Sequence, residues 1–386
     1  MNRKLIHLML GTALAFLIST ARANAQTSVF ATGLSQPAKI ILTPEGNLLV
    51  AETVGAPNAG RVSIVDRFGN RRTLIDGLPS GISAEGGGPS GPSGLDIRGR
   101  TLFVSIGEGD GTLPGPIPGT EVPNPSPSSP ILSSVLAIQF SAAAEKRISG
   151  FTLSLADHFT LAGGGDVELN NGHGDKIAVE LLADFANYVS NPLPFFPPNV
   201  RHSNPFGLVV GGNSVYVADG GMNSVIKVNI ITGNAQTLTT FPPQVNPLPF
   251  GPPVIDAVPD GIQIINGELL VTLLSGFPFI PGFSEVRSVD VTTGTSTVLI
   301  GGRSSAIDVA EGKTRRGTTP YYVLEFSTNF LAGAPGQLLL FQSAAAVPTV
   351  VAGGLISPSG MVRDAATGDI YIAEIFTGRI IRVQIP

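Results

Sequence analysis

Five acidic residues recur at one kind of place in this sequence, the end of a short apolar segment. They are Glu52, Glu108, Asp219, Glu325 and Glu374. If these segments are equivalent strands around one axis, their carboxylates converge and could bind a hard cation such as Ca²⁺. Glu52, Asp219 and Glu374 are then the first candidates for metal ligands.

The same placement also has a structural explanation. An acid at the end of a strand often accepts backbone N–H bonds within its own turn. Because a repeated architecture repeats its turn chemistry, the recurrence of the acid favours this structural role over a metal site. We therefore predict no firm cofactor, and Ca²⁺ stays open as the alternative.

Histidine and serine give weaker signals for catalysis. Beyond the first 25 residues the sequence holds His158, His173 and His202, and only His202 falls beside the expected ring of carboxylates. A histidine-based lactonase would want paired imidazoles for general-base work. A serine hydrolase needs a G-x-S-x-G turn between a strand and a helix, and no segment provides one. We assign no catalytic residue and keep His202 as a candidate for ligand binding.

The acids belong to a unit that recurs six times along the chain. Each unit has a turn rich in Pro, Ser and Gly, an apolar strand, a tight turn and a second strand. The clearest copy runs from 204 to 219 and ends in SVYVAD. The other copies begin near residues 37, 92, 259, 305 and 358.

A third and usually a fourth strand follow each pair, as in RVSIVD and RTLIDGL. Four short strands per unit, repeated every 40 to 60 residues or so, are typical of a β-propeller. The segment VFATGL at 29–34 resembles a fourth strand without a blade, while the chain finishes on a third strand, RIIRVQI. The sequence therefore predicts an all-β, six-bladed propeller whose N-terminal strand completes the last blade.

We expect one propeller domain over 26–386, with an insertion in blade two at about 141–177. Within it, GGGDVELNNGHGD at 163–175 is predicted to form a hairpin that turns at 170–172.

The links between strands two and three, and between strand four and the next blade, lie on one face, which we call the mouth. These links are long and rich in Pro and Phe. The rings either plug the channel and pin the loops, or form a groove for an aromatic small molecule or an apolar segment of a protein partner. The ligand-binding candidates are Phe195, Phe196, Phe206, Phe250, Phe277, Phe279, Phe283, Phe330 and His202.

Residues 1–25 have the layout of a cleaved secretory signal: a basic start, an apolar run and Ala-Asn-Ala. We therefore expect an extracytoplasmic protein, periplasmic or secreted, with no membrane span after cleavage. The chain has no Cys and a net charge of −5. Without a basic stripe, nucleic acid is not an expected partner.

Four motifs together resemble one family. SNPFG at 203–207, VADGG at 217–221, GFPFIPG at 276–282 and YVLE at 322–325 look like the ScyD/ScyE family of exported bacterial propeller proteins, associated with scytonemin biosynthesis clusters. More distantly, the units resemble NHL-type and gluconolactonase-type propellers. The resemblance implies the propeller fold and export, but it defines no reaction.

The sequence thus favours a binding or assembly module, without catalysis, for an apolar or aromatic small molecule or a protein partner. The alternative is a Ca²⁺-dependent hydrolase of the lactonase type with its site at the mouth. A purely structural envelope protein is the third hypothesis.

Overall fold

The computed structural model describes residues 25–146, 150–314 and 317–385. They form six antiparallel sheets arranged in a ring, so the predicted six-bladed β-propeller is confirmed. Residues 1–24, which carry most of the predicted signal peptide, lie outside the described part of the chain. No helix among the described residues is long and apolar enough to cross a membrane.

Each blade is built from four strands, which we number from the axis outwards. Blade one comprises Pro37–Leu42, Leu48–Glu52, Gly60–Val65 and Arg71–Leu78. Blade two comprises Pro92–Arg98, Thr101–Ile106, Ser134–Phe140 and Lys176–Asp184. Blade three comprises Pro205–Gly211, Ser214–Asp219, Ser224–Asn229 and Ala235–Thr240.

The second half of the ring repeats the pattern. Blade four comprises Pro259–Ile265, Glu268–Leu273, Ser284–Asp290 and Ser296–Arg303. Blade five comprises Ala306–Glu311, Tyr321–Glu325, Gly336–Phe341 and Thr349–Leu355. Blade six comprises Pro358–Arg363, Ile370–Glu374, Arg379–Gln384 and, from the start of the chain, Gln26–Ala31.

The N-terminal strand closes the ring. Gln26 lies opposite Gln384 and Ala31 opposite Ile380 in an antiparallel ladder. The strand begins three residues before the predicted 29–34 segment, but it completes blade six as expected. Closure removes the open sheet edge that the last blade would otherwise present.

Apolar side chains fill the spaces between neighbouring blades. The second strand of blade one, Leu48–Glu52, is buried along its whole length, as expected for a sheet packed on both faces. Near the axis the first strands contact one another around the ring. Gly207 and Gly261 make this approach possible, because a Cβ atom on either would collide with a backbone oxygen of the next blade's first strand.

A buried lysine fills the centre of the ring. The Nζ atom of Lys39, on blade one, lies 2.7 Å from the carboxylate of Asp260 on blade four. It also donates to the carbonyl oxygens of Ile307 and Ser359, at 2.6 and 3.0 Å. Burial raises the pKa of Asp260 to about 6 despite the opposing charge of Lys39. The lysine therefore ties blade one to blades four, five and six.

The insertion in blade two has an ordered structure of its own. It contains the helices Ala142–Lys146 and Leu155–Ala162 and the short strand Phe151–Thr152, which pairs with strand four of blade one. The predicted hairpin is confirmed: Val167–Asn170 pairs with Lys176–Asp184 and adds a fifth strand to blade two. Ile177 already belongs to strand four, where it pairs with Phe140 of strand three. The insertion therefore ends slightly before the expected boundary at 177.

The insertion is fixed to the ring by buried polar contacts. Glu145 accepts hydrogen bonds from Thr43 and Asn47, at 2.7 and 2.9 Å. His158 lies between Gly77 O, at 2.8 Å, and Ser129 Oγ, at 3.0 Å. These contacts account for both groups structurally.

Four short hairpins and one turn of 3-10 helix shape the mouth. The hairpins pair Gly81–Ile82 with Pro89–Ser90, Thr112–Pro114 with Glu121–Pro123, Tyr188–Ser190 with Val200–His202, and Gln244–Val245 with Val254–Ile255. The 3-10 turn is Phe330–Ala332.

Candidate functional site

Four of the five repeated acids share one position in their blades. Glu52, Asp219, Glu325 and Glu374 each lie opposite the first residue of strand one in the antiparallel register. At this position the carboxylate reaches the link that enters the blade. It accepts N–H bonds there from Ser35, Asn204, Ser304 and Ile356, respectively.

The remaining oxygens of these acids are also occupied. Glu374 accepts from the side chains of Thr377, at 2.9 Å, and Arg379, at 2.5 Å. Asp219 accepts from Ser203 Oγ at 2.6 Å and from the Met222 N–H at 3.0 Å. Glu52 contacts two arginines, with Arg61 Nε and Arg71 Nη2 both at 3.1 Å. All three acids are fully buried.

The metal ligands suggested by the sequence are therefore not the ones that the geometry supports. The carboxylates of Glu52, Asp219 and Glu374 are held by donors of their own blade and its entry link. Among the described residues, one group of three potential ligands has donor atoms that all lie within 4.8 Å of one another. Glu52, Asp219 and Glu374 are not members of that group. The physical reason is that the turn's donors already use the oxygens a cation would need.

Glu108 was predicted to occupy the same position, and this prediction is wrong. In blade two the residue opposite Pro92 is Ile106, so Glu108 lies two residues beyond the shared position. One oxygen of Glu108 accepts from Ser83 Oγ at 2.5 Å. The other, Oε2, is buried and has no hydrogen-bond partner. The shift therefore releases Glu108 from the turn and leaves half of its carboxylate free.

Three mouth hairpins bring further charged groups to Glu108. Glu85 lies between Gly81–Ile82 and Pro89–Ser90, Glu121 begins the strand Glu121–Pro123, and His202 ends the strand Val200–His202. The Nδ1 atom of His202 lies 2.9 Å from both oxygens of Glu121 and 3.6 Å from Glu108 Oε2. Its Nε2 atom lies 3.6 Å from Glu85 Oε2. We call these four residues the acidic cleft.

Burial and charge act in opposite directions within the acidic cleft. Burial alone would lower the pKa of His202. The hydrogen bond to Glu121 and the charges of Glu108, Glu121 and Glu85 outweigh burial and raise that pKa to about 9. Burial raises the pKa of Glu108 to about 7, although His202 and the Ser83 hydrogen bond pull it down. At neutral pH one imidazolium thus faces three carboxylates, of which Glu108 is partly protonated.

The acidic cleft opens into a small cavity of about 180 Å³. Besides Glu85 and Glu108, its lining includes Thr53, Ser83, Asn204 and Phe206. Ligand pockets for drug-sized molecules usually measure about 300–1,000 Å³. The cavity therefore has room for an ion with its waters, or for a ligand of a few atoms.

Phenylalanines from blades four and five form a second feature of the mouth. Ring centroids are 6.4 Å apart for Phe250–Phe277, 6.1 Å for Phe277–Phe279, 4.2 Å for Phe279–Phe330 and 5.6 Å for Phe326–Phe330. Phe250, Phe277 and Phe330 remain 49%, 46% and 38% exposed. We call these five residues the aromatic surface.

The other predicted ligand-binding phenylalanines lie apart from this chain of contacts. Phe195 is 65% exposed, in the hairpin that carries His202, and Phe196 is half-buried beside it. Phe283 is half-buried and forms none of the ring pairs found in the described part of the chain. Phe206 lines the cavity of the acidic cleft, with Lys39 Nζ 5.4 Å from its ring centroid.

Sequence reasoning missed Glu85, Glu121 and Phe326. All three lie in mouth links, so a search of those links for acidic and aromatic residues would have found them. Their spatial grouping had no such signal, because Glu121 and His202 are 81 residues apart.

No known protein-family model matches the chain, and no curated protein matches it. Solved structures do resemble it. A gluconolactonase from Xanthomonas campestris has a TM-score of 0.52 at 10% identity, covering 95% of this chain and 92% of that one.

Two sugar dehydrogenases are similar to the same degree. A putative oxidoreductase (glucose dehydrogenase) from Thermus thermophilus has a TM-score of 0.50 at 14% identity, over 93% of this chain and 100% of that one. A PQQ-bound aldose sugar dehydrogenase from Streptomyces coelicolor has a TM-score of 0.50 at 14% identity, over 94% and 98% of the two chains. At these identities the likeness establishes the class, a β-propeller protein, and nothing of the activity.

Proposed function

We propose that this protein is an extracytoplasmic binding protein that takes up a planar aromatic small molecule on the aromatic surface, without catalysis. The observation that carries the proposal is the continuous chain of five rings, of which three are about 40–50% exposed. Leu248, Val254 and Leu331 add exposed apolar area from the same links.

Exposed apolar surface of this extent is unusual for a side of a protein that has no partner. The rings meet at interplanar angles from 26° to 86°, so the surface offers both ring faces and ring edges. An aromatic ligand can use both, stacking on one ring and receiving the edge of another. Proline-rich links reduce the entropy that ordering these loops would cost on binding.

The family resemblance is compatible with this proposal. The GFPFIPG motif at 276–282 supplies Phe277 and Phe279, two of the five rings. We propose that the chain is a member of the ScyD/ScyE family and that it is exported, on the strength of the four motifs and the signal-like N-terminus. The association of that family with an aromatic pigment agrees with an aromatic ligand by analogy.

The experiment compares a double variant, Phe277→Ala with Phe330→Ala, with the control Phe376→Ala. Phe376 is 63% exposed and lies in a mouth link of blade six, but it forms none of the ring pairs found among the described residues. Uptake of the fluorescent probe anilinonaphthalene sulfonate should fall about tenfold in the double variant. The control should bind the probe like the wild type.

Equal probe binding by all three proteins would overturn the proposal. If the wild type instead self-associates, and the double variant is monomeric without any change in probe binding, the surface is an interface between copies.

The acidic cleft favours a second candidate function, a hydrolase of the lactonase type. Its support is Glu108, whose free oxygen and pKa near 7 suit a general base that activates water. The imidazolium of His202 could stabilise the oxyanion that forms on the carbonyl. We place this candidate second because the cavity of about 180 Å³ admits only a small substrate.

Turnover of a small neutral lactone tests the second candidate. Glu108→Gln should lower kcat at least about 100-fold, because general acid–base catalysis contributes that much or more. Ser304→Ala, in the mouth link between blades four and five, should leave the rate unchanged. Turnover that persists in Glu108→Gln would exclude Glu108 as the base.

A further inference from the structure

We propose that Glu85, Glu121 and His202 form a binding site for a divalent first-row transition ion of the Zn²⁺ class. This site is separate from the aromatic surface and does not depend on the ligand proposed there.

The geometry of the three side chains comes first. Each offers one donor atom, and these atoms all lie within 4.8 Å of one another. Two donors bound at about 2.1 Å to one ion can be at most about 4.2 Å apart, so a donor pair near the 4.8 Å limit would have to approach slightly. Glu85 can provide this movement because its side chain is 75% exposed, and its Oε2 is already 3.6 Å from His202 Nε2.

Glu108 supplies an independent observation that points to a cation. Its side chain is nearly fully buried, its Oε2 has no hydrogen-bond donor, and that oxygen is directed at the His202 ring from 3.6 Å. A buried carboxylate oxygen normally has a donor, and leaving one without a partner is costly. A dication beside His202 would place two positive charges where this oxygen now faces the single charge of the imidazolium.

Electrostatics distinguish the acidic cleft from two of the turn acids of the mouth. Glu52 and Glu374 are neutralised by arginines. Glu85, Glu108 and Glu121 form no ion pair with Lys or Arg among the described residues, and His202 is the one basic group that faces all three. Three carboxylates against one imidazole leave an excess of negative charge that a dication can balance.

The donor set decides the class of ion. Ca²⁺ takes six to eight oxygen ligands, whereas an imidazole with carboxylates suits Zn²⁺ and its neighbours in the first transition row. The ion expected here is therefore not the Ca²⁺ that the sequence left open.

The experiment titrates metal-free, full-length protein with Zn²⁺ and, separately, with Ca²⁺, by isothermal calorimetry. The wild type should bind one equivalent of Zn²⁺ and bind Ca²⁺ at least about 100-fold more weakly. His202→Gln should abolish stoichiometric binding, and Glu85→Gln should weaken it at least about tenfold. The control His173→Gln removes an exposed histidine of the insertion hairpin and should change nothing.

Glu85→Gln keeps the test decisive if His202→Gln fails to fold, because the Glu85 side chain is 75% exposed and reaches His202 only at 3.6 Å. The proposal is overturned by tighter binding of Ca²⁺ than of Zn²⁺, by no stoichiometric Zn²⁺ in the wild type, or by Zn²⁺ binding that stays unchanged in Glu85→Gln or in a folded His202→Gln. The aromatic-surface double variant should bind Zn²⁺ normally, so failure of either proposal is visible without the other.

Discussion

Two carboxylates of the mouth, in blades six and two, differ in how fully their oxygens are hydrogen-bonded. Glu374 ends strand two of blade six, and an N–H, a hydroxyl and a guanidinium hold its oxygens. Glu108 follows strand two of blade two, and one of its oxygens has no partner. A shift of two residues in the same repeat therefore separates an acid that holds a blade together from one that is left free for a ligand.

The contrast extends to the rest of the mouth. Lys39 and the turn acids are buried and bind across strands, while Glu85 and three rings of the aromatic surface, Phe250, Phe277 and Phe330, are exposed. Groups of the first kind should govern stability, and groups of the second kind should govern binding. Variants can test this division. The expected effects on stability decrease from the loss of a whole strand to the loss of one exposed ring.

Removing the strand Gln26–Ala31 should have the largest effect. The deletion opens blade six and exposes the edge of Arg379–Gln384. No disulfide compensates, since the chain has no Cys. Relative to a chain that begins at Ala25, the melting temperature should fall by at least about 10 °C, or the protein should aggregate. Calorimetry and light scattering measure both, and an unchanged melting temperature would contradict closure of the ring as a source of stability.

Glu374→Ala should cost about 3 kcal/mol of the free energy of unfolding. The change leaves the Ile356 N–H and the Arg379 guanidinium without their buried partner. Glu168→Ala is the matched control, because Glu168 is exposed and pairs with Lys176 on the surface. Its cost should stay below about 1 kcal/mol. Denaturant unfolding measures both variants. If both lose the same free energy of unfolding, the buried turn acids stabilise the fold no more than a surface acid does.

Glu108→Gln should change how stability depends on pH more than stability itself. The pKa of Glu108 rises from its ordinary 4.5 to about 7 on folding. Between about pH 4.5 and pH 7 the folded protein therefore keeps a proton on Glu108 that the unfolded chain has already released. The stabilisation that this proton gives the folded state is fully present below about pH 4.5 and is lost as the pH rises to about 7. In Glu108→Gln this decline in the free energy of unfolding, on the order of 3 kcal/mol, should be absent.

Comparing the two proteins isolates Glu108 below about pH 6.5. The stabilisation linked to Asp260 falls with rising pH in both proteins, and the stabilisation linked to His202 is fully present below its ordinary pKa of 6.5 and is lost only as the pH rises toward about 9. The free energy of unfolding is measured against pH for both proteins. If the two curves run parallel between pH 4.5 and 6.5, burial does not raise the pKa of Glu108.

Phe277→Ala should have the smallest effect on stability, below about 1 kcal/mol, because the ring is half-exposed. Phe103→Ala, at a ring that is only 2% exposed between blades two and three, should cost about 3–5 kcal/mol. Thermal unfolding of both variants provides the measurement. A large cost for Phe277→Ala would mean that the aromatic surface pins the loops instead of awaiting a ligand.

The repeats were sufficient to predict the ring, because each unit carries the same strand and turn pattern and the chain ends complement each other. They also contained the signal for Glu108. Aligning LFVSI of blade two with LLVAE, VYVAD and IYIAE places Ile106, not Glu108, at the position of the acid. The error came from counting acids near strand ends without fixing the register.

The acidic cleft could not be predicted in this way. Glu85, Glu121 and His202 lie in three irregular links, and hairpin pairing, which leaves little periodic pattern, decides where their side chains meet. Phe250, Phe277, Phe279 and Phe330 did meet as neighbouring links suggested. Phe195 and Phe196 form none of the ring pairs found among the described residues; they lie between the two strands of the hairpin Tyr188–Ser190 and Val200–His202.

The antiparallel pairing of Gln26–Ala31 with Arg379–Gln384 also determines how the protein responds to force. Gln26 lies opposite Gln384, so both chain ends leave the ladder at the same edge. Tension applied between them would load the hydrogen bonds one after another, starting from that edge, instead of sharing the load across all of them. The ring should therefore open by peeling at low force, while a pull on two internal blades would have to shear whole sheets.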